Sequence, residues 1–386
     1  MFDLTPTIPF GKHAGTPITE VDRGYLGWCL KKYRQGGFDA GYVHSFMKDN
    51  EQLIDDLING AQQRLAEDDH EEYQLSPSQA EASEGIVAAF DDGANFVRLQ
   101  GGAGYGKSFA VRDVVRNLLR TGNYFIRAAA VSYVATQVLK SQLDRYDIEC
   151  GTLAKTLKLH KRYIDRKEVY EVSEDTDDAL MELFMARGDK RSLLIIDEYS
   201  MINDEYATLM GNAAKQYGGA ILVVGDLKQL PPVGQDTDTI FSSIKPAYAL
   251  KDPMRYSADS DLYRLEQAVR DDPWEAVQNI HELALDSAGR GNQIFTYDNP
   301  SQLFEAFCEA CKVFPHEDNR MLFYRRQDVV NANNEVRQYM FGDDPEPLMP
   351  GERLMVIRTS DYGDVRYYTG TTLDAVSYTH LRAHET

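Results

Sequence analysis

The stretch Gly101–Ser108 reads GGAGYGKS and contains four glycines, one lysine and one hydroxyl side chain. It fits the pattern G-x4-G-K-[ST], in which backbone N–H groups of a glycine-rich loop surround phosphate oxygens. The apolar run NFVRLQ before it predicts a strand, and the amphipathic run SFAVRDVVRNLLR after it predicts a helix whose N-terminus faces the phosphates. With both elements in place, the pattern favours a phosphate-binding loop over an ordinary glycine-rich turn.

The loop predicts a nucleotide site that uses ATP and Mg²⁺. Lys107 is expected to reach the β- and γ-phosphates, and Ser108 to bind the magnesium ion. The ATP-binding residues predicted from the loop are Gly101, Gly102, Ala103, Gly104, Tyr105, Gly106, Lys107, Ser108 and Phe109.

Two later strand ends supply carboxylate and amide groups. SLLIIDEYSM ends an apolar run with Asp197 and Glu198, and AILVVGDLKQLPPVG places Asp226 and Gln229 after the next run. The carboxyl ends of parallel strands line the ligand crevice, so Asp197 is expected to hold magnesium through water. Glu198 is expected to act as general base toward the attacking water, and Gln229 to hydrogen-bond the γ-phosphate or that water. An Asp at a strand end is otherwise often a helix N-cap, but the adjacent acidic pair favours the catalytic interpretation.

Apolar runs alternate with helical patterns from Leu75 onward, which predicts an α/β fold with a parallel sheet and helices on both faces. The 386 residues, 43% of them hydrophobic, are enough for two or three cores. No apolar run approaches the ~20 residues that a membrane-spanning helix needs. The N-terminus does not resemble a signal peptide, and four cysteines in so long a chain are no disulfide framework, which favours a reducing cytoplasm.

The net charge of −20 argues against a protein that coats nucleic acid by bulk electrostatics, although it leaves room for a local basic channel. The densest basic stretch is AKTLKLHKRYIDRK, at residues 154–167. Considered alone, it is best interpreted as a solvated face.

Composition divides the chain into three regions, which are residues 1 to about 60, an acidic stretch that predicts a linker or an exposed helix end, and the part from Leu75 onward. A second α/β pattern begins after about Tyr256, with an additional strand expected at RMLFYR, residues 320–325. Together with the family resemblance given below, which implies the hairpin insertion and the tail, the predicted segments are a small α-rich N-terminal domain (1–60), the linker (61–74), an ATPase domain (75–255) with a hairpin insertion at about 156–190, a partial second α/β domain (256–376) and a tail (377–386).

The phosphate loop, IIDEYSM and GDLKQLPPV occur in the order that is typical of superfamily 1 helicases. The chain most resembles the RecD-like and Dda-like branch, superfamily 1B, over about Leu75 to Val376. The resemblance implies two RecA-like phosphate-loop domains and 5′-to-3′ movement on single-stranded DNA with ATP hydrolysis. LSPSQAEA resembles the branch's adenine-reading motif, in which Gln79 offers its amide to the base. ALKDPMRYS resembles its fourth motif, so Arg255 is expected to reach the γ-phosphate.

The same resemblance assigns DNA contacts. AAAVSYVATQVL resembles a DNA-contacting motif, with Ser132 and Tyr133 as candidates, although Val131-Ser132 replaces the usual proline-threonine. GTLAKTLKL resembles a motif whose hydroxyl, here Thr152, touches the DNA backbone. The basic stretch then falls where the branch inserts a duplex-splitting hairpin, which makes Lys158 a candidate DNA contact. Single-stranded DNA, single-strand/duplex junctions and replication or recombination proteins are the expected partners, with no membrane.

The N-terminal 60 residues resemble a small uncharacterised domain with a Phe-Gly-Lys-x-x-Gly opening. At the other end, no arginine finger and no fifth DNA-gripping motif is recognisable after YYTGTTLDAV. SYTHLRAHET, residues 377–386, shows no helix or strand period and resembles translated adapter sequence. The chain is therefore expected to be truncated in its second motor domain, to hydrolyse ATP weakly, and to carry a non-native tail.

Two other classes of function stay open at this stage. The chain could be a phosphate-loop ATPase that remodels proteins, or a nucleotide-gated nucleic-acid-binding module without turnover. Stimulation of ATP hydrolysis by single-stranded DNA discriminates the helicase from the remodelling ATPase, and the intact Glu198 argues against a module without turnover.

Overall fold

The computed structural model separates the chain into two units, Met1–Arg255 and Tyr256–Thr386. Arg255 and most of the predicted acidic linker lie outside the residues that the structure describes. The described residues are 6–9, 14, 16–18, 21, 23–37, 41–51, 53–54, 74–164, 167–229, 240–254, 260–287, 294–313, 319–357, 359–362, 365–377 and 380–383.

The first unit contains nine of the described helices and eight of the described strands. Its helices are α1 (Arg23–Arg34), α2 (Tyr42–Asp49), α3 (Pro77–Asp91), α4 (Lys107–Thr121), α5 (Tyr133–Leu143), α6 (Leu153–Thr156), α7 (Glu174–Phe184), α8 (Asp204–Tyr217) and α9 (Ile240–Ser243). Its strands are β1 (Phe96–Gln100), β2 (Tyr124–Ala130), β3 (Glu149–Thr152), β4 (His160–Ile164), β5 (Lys167–Glu171), β6 (Arg191–Asp197), β7 (Ala220–Gly225) and β8 (Ala247–Ala249).

Six of these strands form one parallel sheet in the order β3-β2-β6-β7-β1-β8. The register aligns the strand ends that carry the predicted site: Gln100 pairs with Gly225, and Ala130 pairs with both Asp197 and Thr152. This confirms the predicted α/β fold class and its parallel sheet. The carboxyl ends of β1, β2, β3, β6 and β7 therefore meet at one edge of the parallel sheet.

The strands are apolar because helices cover both faces of the sheet, so their side chains are removed from water on either side. Every residue of β7 is buried, and so are the central residues of β6. Phe184, Met210 and Tyr199 pack with these strands in one hydrophobic cluster. The helices end where glycine permits left-handed backbone, as at Gly122 (φ 72°) and Gly218 (φ 75°).

Within the segment of the predicted hairpin insertion, β4 and β5 form an antiparallel pair, in which His160 pairs with Glu171 and Ile164 with Lys167. Arg162 Nη1 donates to Glu171 Oε2 at 2.9 Å on the exposed side of this pair. Helix α7 follows and packs back on the sheet, with Leu180, Leu183 and Phe184 buried.

The N-terminal residues have a small core of their own. Ile18, Leu26 and Ile54 are among its fully buried members, and they pack with Cys29 and Met47. The predicted α-rich character agrees with α1 and α2, which contact each other.

The second unit combines helices with short antiparallel sheets among the described residues. Its helices are α10 (Asp261–Asp271), α11 (Pro273–Gln278), α12 (Ile280–Ser287), α13 (Pro300–Val313) and α14 (Arg326–Phe341). Its strands are β9 (Arg353–Met355), β10 (Ser360–Tyr362), β11 (Val365–Tyr367), β12 (Thr372–Ser377) and β13 (His380–Ala383). Strand β12 lies between β9 and β13, and β10 pairs with β11.

One sequence prediction for this unit is wrong. RMLFYR forms no strand: Leu322 and Tyr324 are 91% and 101% exposed, and none of the described strands lies beside them. An apolar run becomes a strand only when a neighbour satisfies its backbone, and the composition of the run does not report that neighbour. In the tail, whose sequence shows no strand period, His380–Ala383 pairs antiparallel with β12, and its non-native origin stays a prediction.

Within the described parts of both units, none of the helices is long and apolar enough to cross a bilayer.

Candidate nucleotide-binding site

A cleft of about 860 Å³ lies where β1, β6 and β7 end, entirely within the first unit. It gathers the phosphate loop, the acidic pair and the glutamine that the sequence singled out. Its lining residues are Gln74, Gln79, Gly102, Ala103, Gly104, Gly106, Lys107, Ser108, Phe109, Ala135, Val138, Gln142, Asp197, Glu198, Asp226, Gln229 and Met254.

The loop needs glycine at two positions because its backbone turns left-handed there. Gly104 has φ 78° and Gly106 has φ 72°, a region that L side chains rarely adopt. Gly106 is also crowded: a Cβ atom built on it would lie 2.2 Å from Gln79 Nε2. Helix α4 begins at the next residue, so its N-terminal N–H groups face the cleft.

Replacing Gly106 by alanine is expected to weaken MgATP binding by about tenfold or more, since strain of roughly 1–3 kcal/mol would distort the loop. Isothermal titration with MgATP measures the effect. Gly122→Ala is the matched control, because Gly122 has the same φ of 72°, has open space around its Cβ position and ends α4 away from the cleft. Equal losses of affinity in both variants would contradict a specific role for Gly106.

Lys107 is held across the loop that it follows. Its Nζ donates to the carbonyl oxygens of Gly101 at 2.9 Å and Gly102 at 3.2 Å. An ammonium group in this position lies beside the backbone N–H groups that a phosphate would contact. The side chain is thus placed to exchange carbonyl partners for more negative phosphate oxygens.

Asp197 and Glu198 stand at the end of β6, as predicted. Burial raises the pKa of the Asp197 carboxyl, while the hydrogen bond from Glu198 N and the nearby Lys107 charge oppose that shift. Glu198 N donates to Asp197 Oδ1 at 2.9 Å, which fixes the orientation of that carboxylate. A desolvated carboxylate and the Ser108 hydroxyl line the same cleft, and oxygen ligands of this kind fit the magnesium that the loop implies.

Glu198 itself has φ 53°, a left-handed conformation that is uncommon for a residue with a side chain. Such strain costs on the order of 1–3 kcal/mol and persists where the surroundings impose it. The conformation turns the chain sharply after β6 and leaves Glu198 on the wall of the cleft.

Gln229 is oriented by a neighbour that the sequence reasoning did not single out. The buried Ser200, from the same IIDEYSM stretch, donates its hydroxyl to Gln229 Oε1 at 3.0 Å. The carbonyl end of the amide is thereby engaged, so Nε2 is the end that suits a phosphate oxygen. Asp226 accepts a hydrogen bond from Lys228 N at 3.0 Å and shapes the turn that brings Gln229 back to the cleft.

Gln79 lines the cleft, but its amide contacts the phosphate loop. Gln79 Nε2 lies 3.3 Å from Tyr105 O and 3.2 Å from Gly106 O, and its Oε1 accepts from Ser76 N at 2.9 Å. The side chain is only 2% exposed. The predicted adenine contact therefore has to use the remaining hydrogen-bonding capacity of an amide that already braces the loop.

Ser76 and Ser78 bind the carboxylate of Asp252, which follows the edge strand β8 beside β1. Asp252 Oδ2 accepts from Ser76 Oγ at 2.8 Å, from Ser78 Oγ at 2.6 Å and from Ser78 N at 3.2 Å. These bonds, led by the one from the Ser78 hydroxyl, lower the pKa of the Asp252 carboxyl. Ser-x-x-Gln before a helical run is a capping-box signal that the sequence displays, whereas nothing in the sequence marks Asp252 as its partner.

The loop and the segment before Arg255 are also joined, because Met254 N donates to Gly104 O at 2.8 Å. Arg255 lies outside the described residues, so its predicted contact with the γ-phosphate stays a prediction. Gly101 and Tyr105 were predicted to bind ATP but do not line the cleft. Gly101 N continues the sheet to Gly225 O, and the Tyr105 side chain is buried.

The predicted DNA contacts do not line the cleft, and they lie at the end of β3 or in the segments that follow β2 and β3. Ser132 caps α5 by accepting from Ala135 N at 3.1 Å, and Thr152 caps α6 by accepting from Lys155 N at 3.3 Å. Each hydroxyl keeps its proton available to donate to a phosphate. Tyr133 is half-buried, and Lys158 is exposed with φ 50°.

The model of the AAA domain family (AAA_30) matches residues 74–285, more than half of the chain. An uncharacterised protein of Acanthamoeba polyphaga mimivirus is 24% identical over 259 residues, covering 63% of this chain and 51% of the relative. The ATP-dependent DNA helicase dda of Enterobacteria phage T4 is 22% identical over 280 residues, covering 70% of this chain and 58% of the relative.

A crystal structure of Pif1 helicase from Candida albicans aligns with a TM-score of 0.40 at 18% identity, over 78% of this chain and 68% of that one. The chain thus spans little more than half the length of the curated relatives that it matches. Residues 74–285 place the chain in the AAA_30 family of AAA domains.

Proposed function

We propose that this chain carries the ATP site of a 5′-to-3′ DNA helicase that couples MgATP hydrolysis to movement on single-stranded DNA. The observation that supports it most is the meeting of Lys107, Asp197, Glu198 and Gln229 in one cleft beside a glycine-rich loop. One relative that it resembles is an ATP-dependent DNA helicase. The direction of movement rests on the resemblance to the RecD-like and Dda-like branch.

Each residue of the cleft has its own role in the proposed reaction. The loop amides and Lys107 bind and orient the phosphates, and Glu198 accepts the proton of the attacking water. Gln229 Nε2, held by Ser200, donates to the γ-phosphate or to that water. Magnesium, bound by Ser108 and through water by Asp197, would neutralise charge on the phosphate oxygens.

The DNA strand is proposed to run over the carboxyl ends of β2 and β3, where Thr152 pairs with Ala130 and Ser132 follows β2 at the start of α5. Lys155 and Lys158 follow Thr152 within six residues and add positive charge to this side of an acidic protein. Hydroxyl and lysine donors suit phosphate oxygens, which are present on any DNA sequence.

The proposal predicts that the nucleotide and DNA sites are energetically linked. Single-stranded DNA should change the affinity for MgATP by about 5-fold or more, and MgATP should change the DNA affinity by the same factor. Fluorescence anisotropy of a labelled oligonucleotide, with DNA and MgATP titrated in turn, measures both affinities. A protein-remodelling ATPase would show tight MgATP binding with no linkage to DNA, and that result would overturn the helicase proposal.

The direction of movement has its own test. Partial duplexes with a 5′ or a 3′ single-stranded tail are incubated with MgATP, and strand separation is followed on gels. Separation of the 5′-tailed substrate alone supports the proposed polarity, whereas separation of the 3′-tailed substrate alone would reverse it.

A further inference from the structure

Three segments that are distant in sequence form a closed set of hydrogen bonds at the base of the cleft. The start of α3 contributes Ser76, Ser78 and Gln79, the phosphate loop contributes its carbonyls, and residues 250–254 follow β8. Gln79 joins the first segment to the loop, and Met254 N joins the third segment to Gly104 O. Asp252 completes the set by joining the third segment to the first.

We infer that Asp252 is a positioning residue for nucleobase recognition, which holds the helix that carries Gln79 in register with the phosphate loop. The inference rests on the proposed nucleotide site and adds a residue that touches neither base nor phosphate. Asp252 acts through the two serines, because its carboxylate accepts hydrogen bonds from both of their hydroxyl groups and from one backbone N–H group at the helix start.

The hydrogen bonds around Asp252 do more than cap a helix, because they join residues 250–254 to both α3 and β1. Ser78 Oγ donates to Asp252 and also accepts from Lys251 N at 3.2 Å. One serine side chain therefore contacts two consecutive residues of the segment 250–254. Leu250 N donates to Gln100 O at 2.8 Å, which anchors the segment to the end of β1 directly before the loop. Removal of the carboxylate leaves the loop anchored through Leu250 and Met254 but removes three of the hydrogen bonds that hold the start of α3, the helix that carries Gln79.

This geometry predicts different effects on ligands with and without a base. Inorganic tripolyphosphate contacts only the phosphate side, whereas ATP also needs the base side of the cleft. Asp252→Ala is therefore expected to weaken MgATP binding about tenfold while changing magnesium tripolyphosphate binding by less than about twofold. Titration calorimetry on the full 386-residue chain measures both dissociation constants.

Two further variants sharpen the test. Asp252→Asn keeps an oxygen that accepts from the serines, so it should recover most of the MgATP affinity. Asp272→Ala removes an aspartate that caps another helix, where it accepts from Trp274 N at 2.9 Å and Glu275 N at 3.0 Å in the second unit. It should change neither dissociation constant.

The outcomes separate this inference from the function on which it rests. Equal weakening of both ligands by Asp252→Ala, or unchanged MgATP binding, would show that the carboxylate only stabilises the fold or does nothing. A wild-type chain that binds tripolyphosphate as tightly as ATP would refute base recognition and leave the phosphate site intact. A wild-type chain that binds neither ligand would overturn the proposed function itself.

Discussion

Replacing Lys107 by alanine is expected to weaken MgATP binding by on the order of 100-fold and to abolish measurable turnover, because charge-assisted hydrogen bonds to phosphate are lost. Lys107 is the only cation within the loop GGAGYGKS, and its Nζ already lies within 3.2 Å of two loop carbonyls. No other lysine or arginine among the described residues lines the cleft. Titration with MgATP measures the binding and phosphate release measures the turnover.

The matched control for this prediction is Lys190→Ala. Lys190 is exposed and precedes β6, at the opposite end of the sheet from the cleft, and the turn around it is held by its backbone. Circular dichroism should show both variants folded. Wild-type affinity for MgATP in Lys107→Ala would contradict the assignment of the phosphate loop.

Replacing Glu198 by glutamine should leave MgATP bound with near wild-type affinity but reduce turnover by about 10²–10⁴-fold, since it removes the proposed general base. Glutamine keeps the size of the side chain and leaves Asp197 to act at the metal. The backbone N–H of residue 198, which donates to Asp197 Oδ1 at 2.9 Å, is also retained. Binding and single-turnover hydrolysis are measured separately, so a loss of affinity is not mistaken for a loss of chemistry.

Glu205→Gln provides the comparison for this variant. Glu205 is an exposed carboxylate in the first turn of α8, close in sequence but outside the residues that line the cleft. Its neutralisation should leave binding and turnover unchanged. If Glu198→Gln instead lost MgATP affinity while keeping its rate per bound nucleotide, then Glu198 and Asp197 would have exchanged roles.

The sequence predicts the sheet and the loop well because both depend on local patterns. Apolar runs marked β1, β2, β6 and β7, and the loop pattern located Lys107. Local patterns fail where a strand depends on its neighbours. RMLFYR is at least as apolar as β1 but forms no strand, while the tail strand His380–Ala383 pairs with β12 despite its polar composition.

The contacts that orient the site side chains could not be predicted from sequence. Asp252 meets Ser76 and Ser78 across more than 170 positions, and the pairing exists only because β8 lies beside β1. Ser200 and Gln229 meet for a similar reason, since they follow the neighbouring strands β6 and β7. Motif spacing identifies which residues act at the site, whereas the fold determines which neighbours hold them.

The strand order has a consequence for how the protein is made. Strand β1 ends at residue 100, yet its partners in the sheet are β7 and β8, which begin at residues 220 and 247. At roughly 5–20 residues per second, a ribosome needs about 6 to 24 seconds to extend the chain from the end of β1 to the start of β7. Throughout that interval an apolar strand has no partner in the native sheet and presents backbone that other chains can pair with. Chaperone binding during synthesis is therefore expected to concentrate on nascent chains shorter than about 250 residues and to fall once β8 has emerged.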